Sequence, residues 1–228
     1  MGRRLETALS LVLTLSAVSV AAAVIKRELG ARKAQPAARA PYFVDRWRNV
    51  LADAVPIANA GGPVRVVEFA DLECPFCARF HSAVLHDSLV TAETDIEISF
   101  VHFALPNHRF AHTAARAAEC AGQQGRSGDF VDAVYSNQDS LGLKSWWEYA
   151  RNAAVADSGQ FVECIEGNQA FDRIDAGLRW AQELKLGGTP TVMVNGWVMP
   201  RPPSSKELIA LARELKAGRA PFGKREGT

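Results

Sequence analysis

The spacing of apolar residues changes several times along this chain, and each change marks an element. VRVVEFA (64–70) is β-branched and apolar, the pattern of a buried strand. DIEISFVHFAL (95–105) predicts a second strand, with Ile96, Ile98 and Phe100 alternating with charged or polar neighbours. Between them CPFCARFHSAVL predicts a helix, with Pro75 in the first turn, where proline is tolerated. Upstream, Phe43, Val44, Trp47, Val50, Leu51 and Val55 have the spacing of an amphipathic helix, and PIANAGGP (56–63) reads as a turn. From Pro106 to about Leu186 the periodicity is helical, in HTAARAAECAGQQ, DFVDAVYSNQ, SWWEYARNAAV and QFVECIEGNQAFDRIDAGLRWAQEL, with breaks at Gly122, Gly125, Gly142 and Gly159. GGTPTVMVNGWVMP then predicts a turn and two short strands joined at Asn195-Gly196. SSKELIALARELKAG closes the chain as a helix capped by Ser204 or Ser205 and stopped at Gly218.

The start of the chain has a different pattern. ALSLVLTLSAVSVAAAVI (8–25) carries no charge, and as a helix it would span roughly 27 Å, close to a hydrocarbon core. Residues 1–25 are therefore read as an uncleaved membrane anchor in preference to a signal peptide, although Ala21-Ala22-Ala23 fits a cleavage site. KRELGARKAQPAARAP (26–41) is a basic, Ala- and Pro-containing tether. Net charge is +1, yet residues 1–40 hold seven Lys/Arg against two Glu, so the body is mildly acidic and offers nucleic acid no basic surface. The five basic residues after the apolar run oppose export of the body under the positive-inside rule. The cysteines argue the other way.

Two of the four cysteines, Cys74 and Cys77, form a Cys-x-x-Cys beside a βαβ pattern, which is a redox signal more than a metal signal. Cys74 falls at a helix start, where unpaired N–H groups and the dipole stabilise a thiolate, the nucleophilic form. Cys77, on the next turn, is placed to attack a mixed disulfide formed at Cys74. A zinc site of Cys74, Cys77 and His81 is the weaker alternative, because Cys120 or Cys164 would have to supply a fourth ligand. His81 otherwise reads as a surface residue on the exposed helix face. A purely structural Cys74–Cys77 bridge closes too small a loop to stabilise much. His102, His108 and His112 are scattered around a loop, and no metal is assigned to them. Trp146, Trp147 and Trp180 are packing residues.

VRVVEFADLECPFC, FALPNHRFAHTAARAAECA and GGTPTVMVNG together resemble the DsbA-like branch of the thioredoxin superfamily, over most of residues 60–218. The resemblance implies an α/β thioredoxin fold, its core formed by 42–105 and 187–228, with a helical domain inserted at 106–186. It implies a thiol–disulfide oxidoreductase acting outside the cytoplasm, in the periplasm or its equivalent, tethered to the cytoplasmic membrane. Cys74 would be the nucleophile and Cys77 the resolving thiol. Thr189-Pro190 matches the family's cis-proline loop, which faces the cysteine pair and binds an extended substrate peptide. Glu68 matches an acidic residue six positions before the first cysteine. Strand alternation places it with Val66 and Ala70, either buried with a raised pKa or as an ordinary strand-end acid. Phe76, beside Pro75, stands where the best-known DsbA proteins have histidine, and it cannot lend positive charge to Cys74. Related exported sequences can carry a second disulfide in the helical block, which implies a Cys120–Cys164 bridge; two unpaired buried cysteines are the alternative.

The expected activity is donation of the Cys74–Cys77 disulfide to reduced exported proteins, with no cofactor beyond the disulfide. Reoxidation would fall to a membrane quinone-linked partner of the DsbB or vitamin-K-epoxide-reductase type. A reductase or isomerase on the same site, and a non-catalytic peptide- or zinc-binding module, are the rival readings.

Overall fold

The computed structural model describes residues 2, 16, 18–26 and 40–223. The chain forms two compact units, Met1–Arg39 and Ala40–Thr228. In the first, residues 18–26 are helical. Most of the expected anchor (1–25) and tether (26–41) lies outside the described residues, among which no helix is long and apolar enough to cross a membrane.

The second unit runs β1 (Tyr42–Phe43), α1 (Trp47–Asp53), β2 (Val55–Ala58), β3 (Val64–Ala70), α2 (Pro75–Phe80), a π-helical turn (His81–Leu85), α3 (Ser88–Thr91) and β4 (Ile96–His102). Five helices follow: α4 (Ala111–Gly122), α5 (Ser127–Ser136), α6 (Trp146–Asn152), α7 (Ser158–Glu166) and α8 (Asp172–Glu183). β5 (Thr191–Val194), β6 (Trp197–Val198) and α9 (Ser205–Lys216) complete it. The sheet order is β1-β6-β5-β3-β4-β2. β3 and β4 are parallel, from Val64 opposite Ile96 to Ala70 opposite His102, and every other pairing is antiparallel. This is a thioredoxin fold with a helical block between β4 and β5.

Helices cover both faces of the sheet. On one face Val66, Ile98 and Val194 pack against Phe80, Leu85 and Leu208; on the other Val67, Val101 and Met193 pack against Phe43, Trp47 and Val50. Cys74, Cys77 and Phe100 share a third core with Phe130, Tyr149 and Phe161 of the helical block.

Four local expectations are corrected. The alternation in β4 predicts a half-exposed strand, yet all seven residues are buried. Its polar positions are satisfied internally, Glu97 accepting from the Gly61 N–H, Arg65 and the Ser99 hydroxyl. PIANAGGP is only partly a turn: Pro56, Ile57 and Ala58 belong to β2, which pairs with β4 as an edge strand and shifts register between Pro56 and Ala58, where proline is tolerated. The first helix begins at Trp47, because Tyr42 and Phe43 add an edge strand to β6. Gly159 does not break a helix; it lies in the first turn of α7, which Asp157 caps through the Gln160 N–H, and the break between α7 and α8 comes at Gly167. The Asn195-Gly196 hairpin, with φ of 44° and 91°, and the Ser204 cap are as the sequence predicts.

Candidate active site

β3 delivers the chain to the site, and a buried acid at its end fixes the loop that leads to Cys74. One Asp71 oxygen accepts the Glu73 N–H at 2.7 Å; the other accepts the Leu105 N–H at 2.7 Å and contacts His108 Nδ1 at 2.8 Å. Asp71 thus ties the loop after β3 to the loop after β4. The Cys74 N–H donates to the Asp71 carbonyl at 3.0 Å, and the Tyr135 hydroxyl donates to that carbonyl at 3.3 Å. Gln138 Nε2 donates to the carbonyls of Leu72 and Cys74, at 2.9 and 3.0 Å. Sequence reasoning assigned nothing to Asp71, Tyr135 or Gln138. The partners that tie them across the fold lie 34 to 66 residues away, and no local spacing announces those.

Cys74 is the N-cap of α2, with extended backbone (φ −74°, ψ 119°), and Pro75 occupies the first turn. Both cysteines are buried, and they are not bonded to each other. The Cys74 thiol is held down to about 5: the Cys77 thiol hydrogen-bonds it most strongly, burial opposes the shift, and Thr189 and the N–H groups of Cys77 and Phe76 add to it. Burial drives the Cys77 thiol far up, aided by the Cys74 hydrogen bond and the charge of Glu68. One sulfur is thereby a thiolate at neutral pH and the other a thiol.

Thr189-Pro190 is a cis peptide, and the Thr189 carbonyl oxygen lies 3.5 Å from Cys74 Sγ, close enough to accept from the thiol when Cys74 is protonated. Glu68 is fully buried, and neither carboxylate oxygen has a hydrogen-bond partner. Burial, then the Cys74 charge, raises its pKa to about 8, so it is mostly protonated at neutral pH. Phe76 is 62% exposed, and the Arg79 guanidinium lies 4.6 Å from its ring centroid. A positive charge therefore packs on the Cys-x-x-Cys loop although none lies within it. Cys120 and Cys164 are bonded, Cα–Cα 5.8 Å, joining α4 to α7.

His81 is not a surface residue. It is 3% exposed, and its Nε2 lies 2.6 Å from Asp132 Oδ1. Among the described residues the cysteine pair and His81 do not converge as metal ligands, and the proposed fourth ligands are bonded to each other. His102, His108 and His112 do not converge either: His102 pairs with Glu119 at 3.0 Å and His108 with Asp71.

A family signature described as thioredoxin matches residues 54–212. The chain belongs to the thioredoxin family. Its architecture is that of the DsbA- and DsbG-type thiol–disulfide oxidoreductases within that family. The thioredoxin fold here is similar to a thioredoxin-like oxidoreductase from Silicibacter pomeroyi DSS-3, 25% identical, TM-score 0.60, over 74% of this chain and 94% of the other. It also matches BdbD from Bacillus subtilis (19%, TM-score 0.65, 78% and 98%) and DsbG from Mycobacterium tuberculosis (23%, TM-score 0.57, 75% and 90%), which speak to the fold alone. Among curated proteins it is 33% identical over 162 residues to Na(+)/H(+) antiporter NhaA 1 of Mycolicibacterium gilvum, covering 69% of this chain and 25% of that protein. It is 32% identical over 177 residues to Na(+)/H(+) antiporter NhaA 3 of Salinispora tropica, covering 74% and 26%. This thioredoxin-family chain spans about a quarter of the length of the curated relatives it matches.

Proposed function

We propose that this thiol–disulfide oxidoreductase works as an extracytoplasmic oxidase, passing the Cys74–Cys77 disulfide to reduced exported proteins. The observation that carries the reading is the unequal pair: Cys74 held to about 5 at a helix start, Cys77 held as a thiol behind it. A depressed thiol pKa stabilises the reduced pair, which makes the oxidised pair a stronger acceptor of electrons. Four units correspond to a change on the order of 100 mV.

In the forward reaction a substrate thiolate attacks Cys74 Sγ and breaks the Cys74–Cys77 bond. Cys77 leaves with the electron pair and takes a proton, for which the buried, protonated Glu68 is the candidate donor. A second substrate thiolate then attacks the substrate sulfur of the mixed disulfide, and Cys74 leaves as a stable thiolate. The substrate is oxidised by two electrons, and the pair holds them as a thiolate and a thiol. Thr189 and Pro190, beside Cys74, would position the extended substrate segment. A membrane quinone-linked protein of the DsbB or vitamin-K-epoxide-reductase type would remove the electrons. The Cys120–Cys164 bridge and the apolar run at 8–25 support a tethered location in an oxidising compartment. Ion antiport is not part of the proposal, because the stretch shared with the antiporters is about as long as the thioredoxin match.

Equilibration of the pair with glutathione tests the direction. The oxidase reading requires a potential well above the thioredoxin value of about −270 mV, with Cys74 alkylated by iodoacetamide along a profile centred near pH 5. A thioredoxin-like potential would make the protein a reductase. An inert pair that holds zinc, lost in Cys74→Ser, would make it a binding module.

A further inference from the structure

The redox mechanism leaves unused a second cluster of chemically capable side chains. His81 Nε2 and His86 Nε2 both point at one oxygen of Asp132, at 2.6 and 3.0 Å, and the two imidazole centroids lie 4.6 Å apart. From these observations we propose that His81, His86 and Asp132 form an exchangeable binding site for a divalent transition-metal ion of the zinc class.

The local backbone is what makes the convergence possible. In a regular α-helix, residues five apart diverge around the axis. Here the segment His81–Leu85 is a π-turn, and the His86 N–H closes on the His81 carbonyl at 2.9 Å. The inserted residue aligns positions 81 and 86, and single π-turns of this kind are concentrated at functional sites. Asp132 arrives from α5, so the three donors come from both sides of the junction between the Cys-led helix and the helical block.

Spacing and donor chemistry agree. One ligand atom from each residue lies within 4.8 Å of the others. Zinc–nitrogen and zinc–oxygen bonds of about 2.0–2.2 Å in a tetrahedron put neighbouring donors roughly 3.3 Å apart. The present separations reach that by small side-chain rotations, with the ion replacing the proton shared on each contact. Two imidazoles and one carboxylate select zinc, cobalt, nickel or copper over magnesium and calcium. A depression of about 460 Å³, lined by Arg79, Ser82, Tyr135 and Ser136 as well as the donors, leaves the fourth position to water. Arg79 opposes the ion's charge from the rim. His81 Nδ1 is buried without a partner, so the outer hydrogen bond that tightens structural zinc sites is missing. The site is accordingly exchangeable.

Zinc titration of the purified chain with Cys74–Cys77 oxidised tests this, since that state removes the two thiolates as competing ligands. The expected result is one zinc per chain by calorimetry, a tetrahedral visible spectrum with cobalt, and no response to calcium. At a hundredfold excess over Kd, Tm should rise by roughly 5–10 °C. His86→Ala, at a half-exposed position, and Asp132→Asn should each weaken binding at least tenfold, while His112→Ala leaves it unchanged. The proposal falls if the oxidised chain binds no zinc, if only the reduced chain binds it, or if His86→Ala binds as tightly as the parent. A failed oxidase assay would leave all of these readouts standing.

Discussion

At the scale of single residues, Glu68 is a carboxyl whose surroundings oppose its charge. It lies in a central strand, fully buried, with no donor facing either oxygen. Its folded pKa of about 8 exceeds the ordinary value of 4.5, so the folded state binds more protons than the unfolded state between those limits. Stability therefore falls as pH rises from 4.5 through 8, by up to about 1.4 kcal/mol per unit. Glu68→Gln removes that slope. Urea unfolding of the reduced protein should find the variant close to the parent at pH 5 and more stable by on the order of 2–3 kcal/mol at pH 8. Parallel pH profiles would mean that the carboxyl ionises freely in the fold. The same variant should slow formation of the mixed disulfide, because the leaving Cys77 loses its nearby acid; stopped-flow kinetics of substrate attack on the oxidised pair would show it. Glu68 was legible in the sequence, since strand alternation alone points it inward with Val66. Asp71 was not, because its importance comes from loop atoms that only the folded chain brings together.

At the scale of elements, the tightest approach is α8 against the end of β4. A Cβ added to Gly177 would lie 1.9 Å from the His102 carbonyl oxygen, a backbone atom that cannot move without disturbing the strand. Gly177→Ala should cost roughly 2–4 kcal/mol, read as a lower urea midpoint with unchanged slope. The Cys120–Cys164 bridge, spanning 44 positions, belongs to the same scale. Replacing both cysteines by alanine should cost up to about 4 kcal/mol on the chain-entropy model. Measured against the parent in non-reducing urea, no loss would show that the packing of α4 on α7 already fixes that loop. The elements were more legible than their ends. Helical periodicity and the Asn-Gly hairpin depend on near neighbours, so they could be read directly. β4 misled because its polar alternation suggests solvent, whereas Glu97 and Ser99 satisfy each other and Arg65 under a covering layer. The π-turn could not be read, because one extra residue in a helix leaves the apolar spacing of HSAVL almost unchanged. His81 could have been read as buried, because it lies four positions after Cys77 and so on the same helix face.

At the scale of the whole molecule, redox state and stability are one thermodynamic quantity, and pH is the means of separating its parts. The reduced chain gains a titrating group that the oxidised chain lacks. Cys74 has a folded pKa of about 5 against an ordinary 9.0, so its contribution is complete above 9, and it is lost as pH falls through 5. The small Cys74–Cys77 loop gives the oxidised form an advantage that does not depend on pH. Glu68 is present in both forms, but the Cys74 charge that helps to raise its pKa exists only in the reduced one, so its ionisation near pH 8 offsets part of the Cys74 contribution. Between pH 5.5 and 7 the stability of the reduced protein relative to the oxidised should therefore rise by about 1.4 kcal/mol per unit. Paired denaturation curves at several pH values give this slope without any substrate or membrane partner. A slope of zero would mean that no thiolate is held at the helix start, and the oxidase reading would lose its driving force. A slope of the expected size would tie the direction of disulfide transfer to the backbone and thiol hydrogen bonds at Cys74, which neither Arg79 nor the helical block supplies.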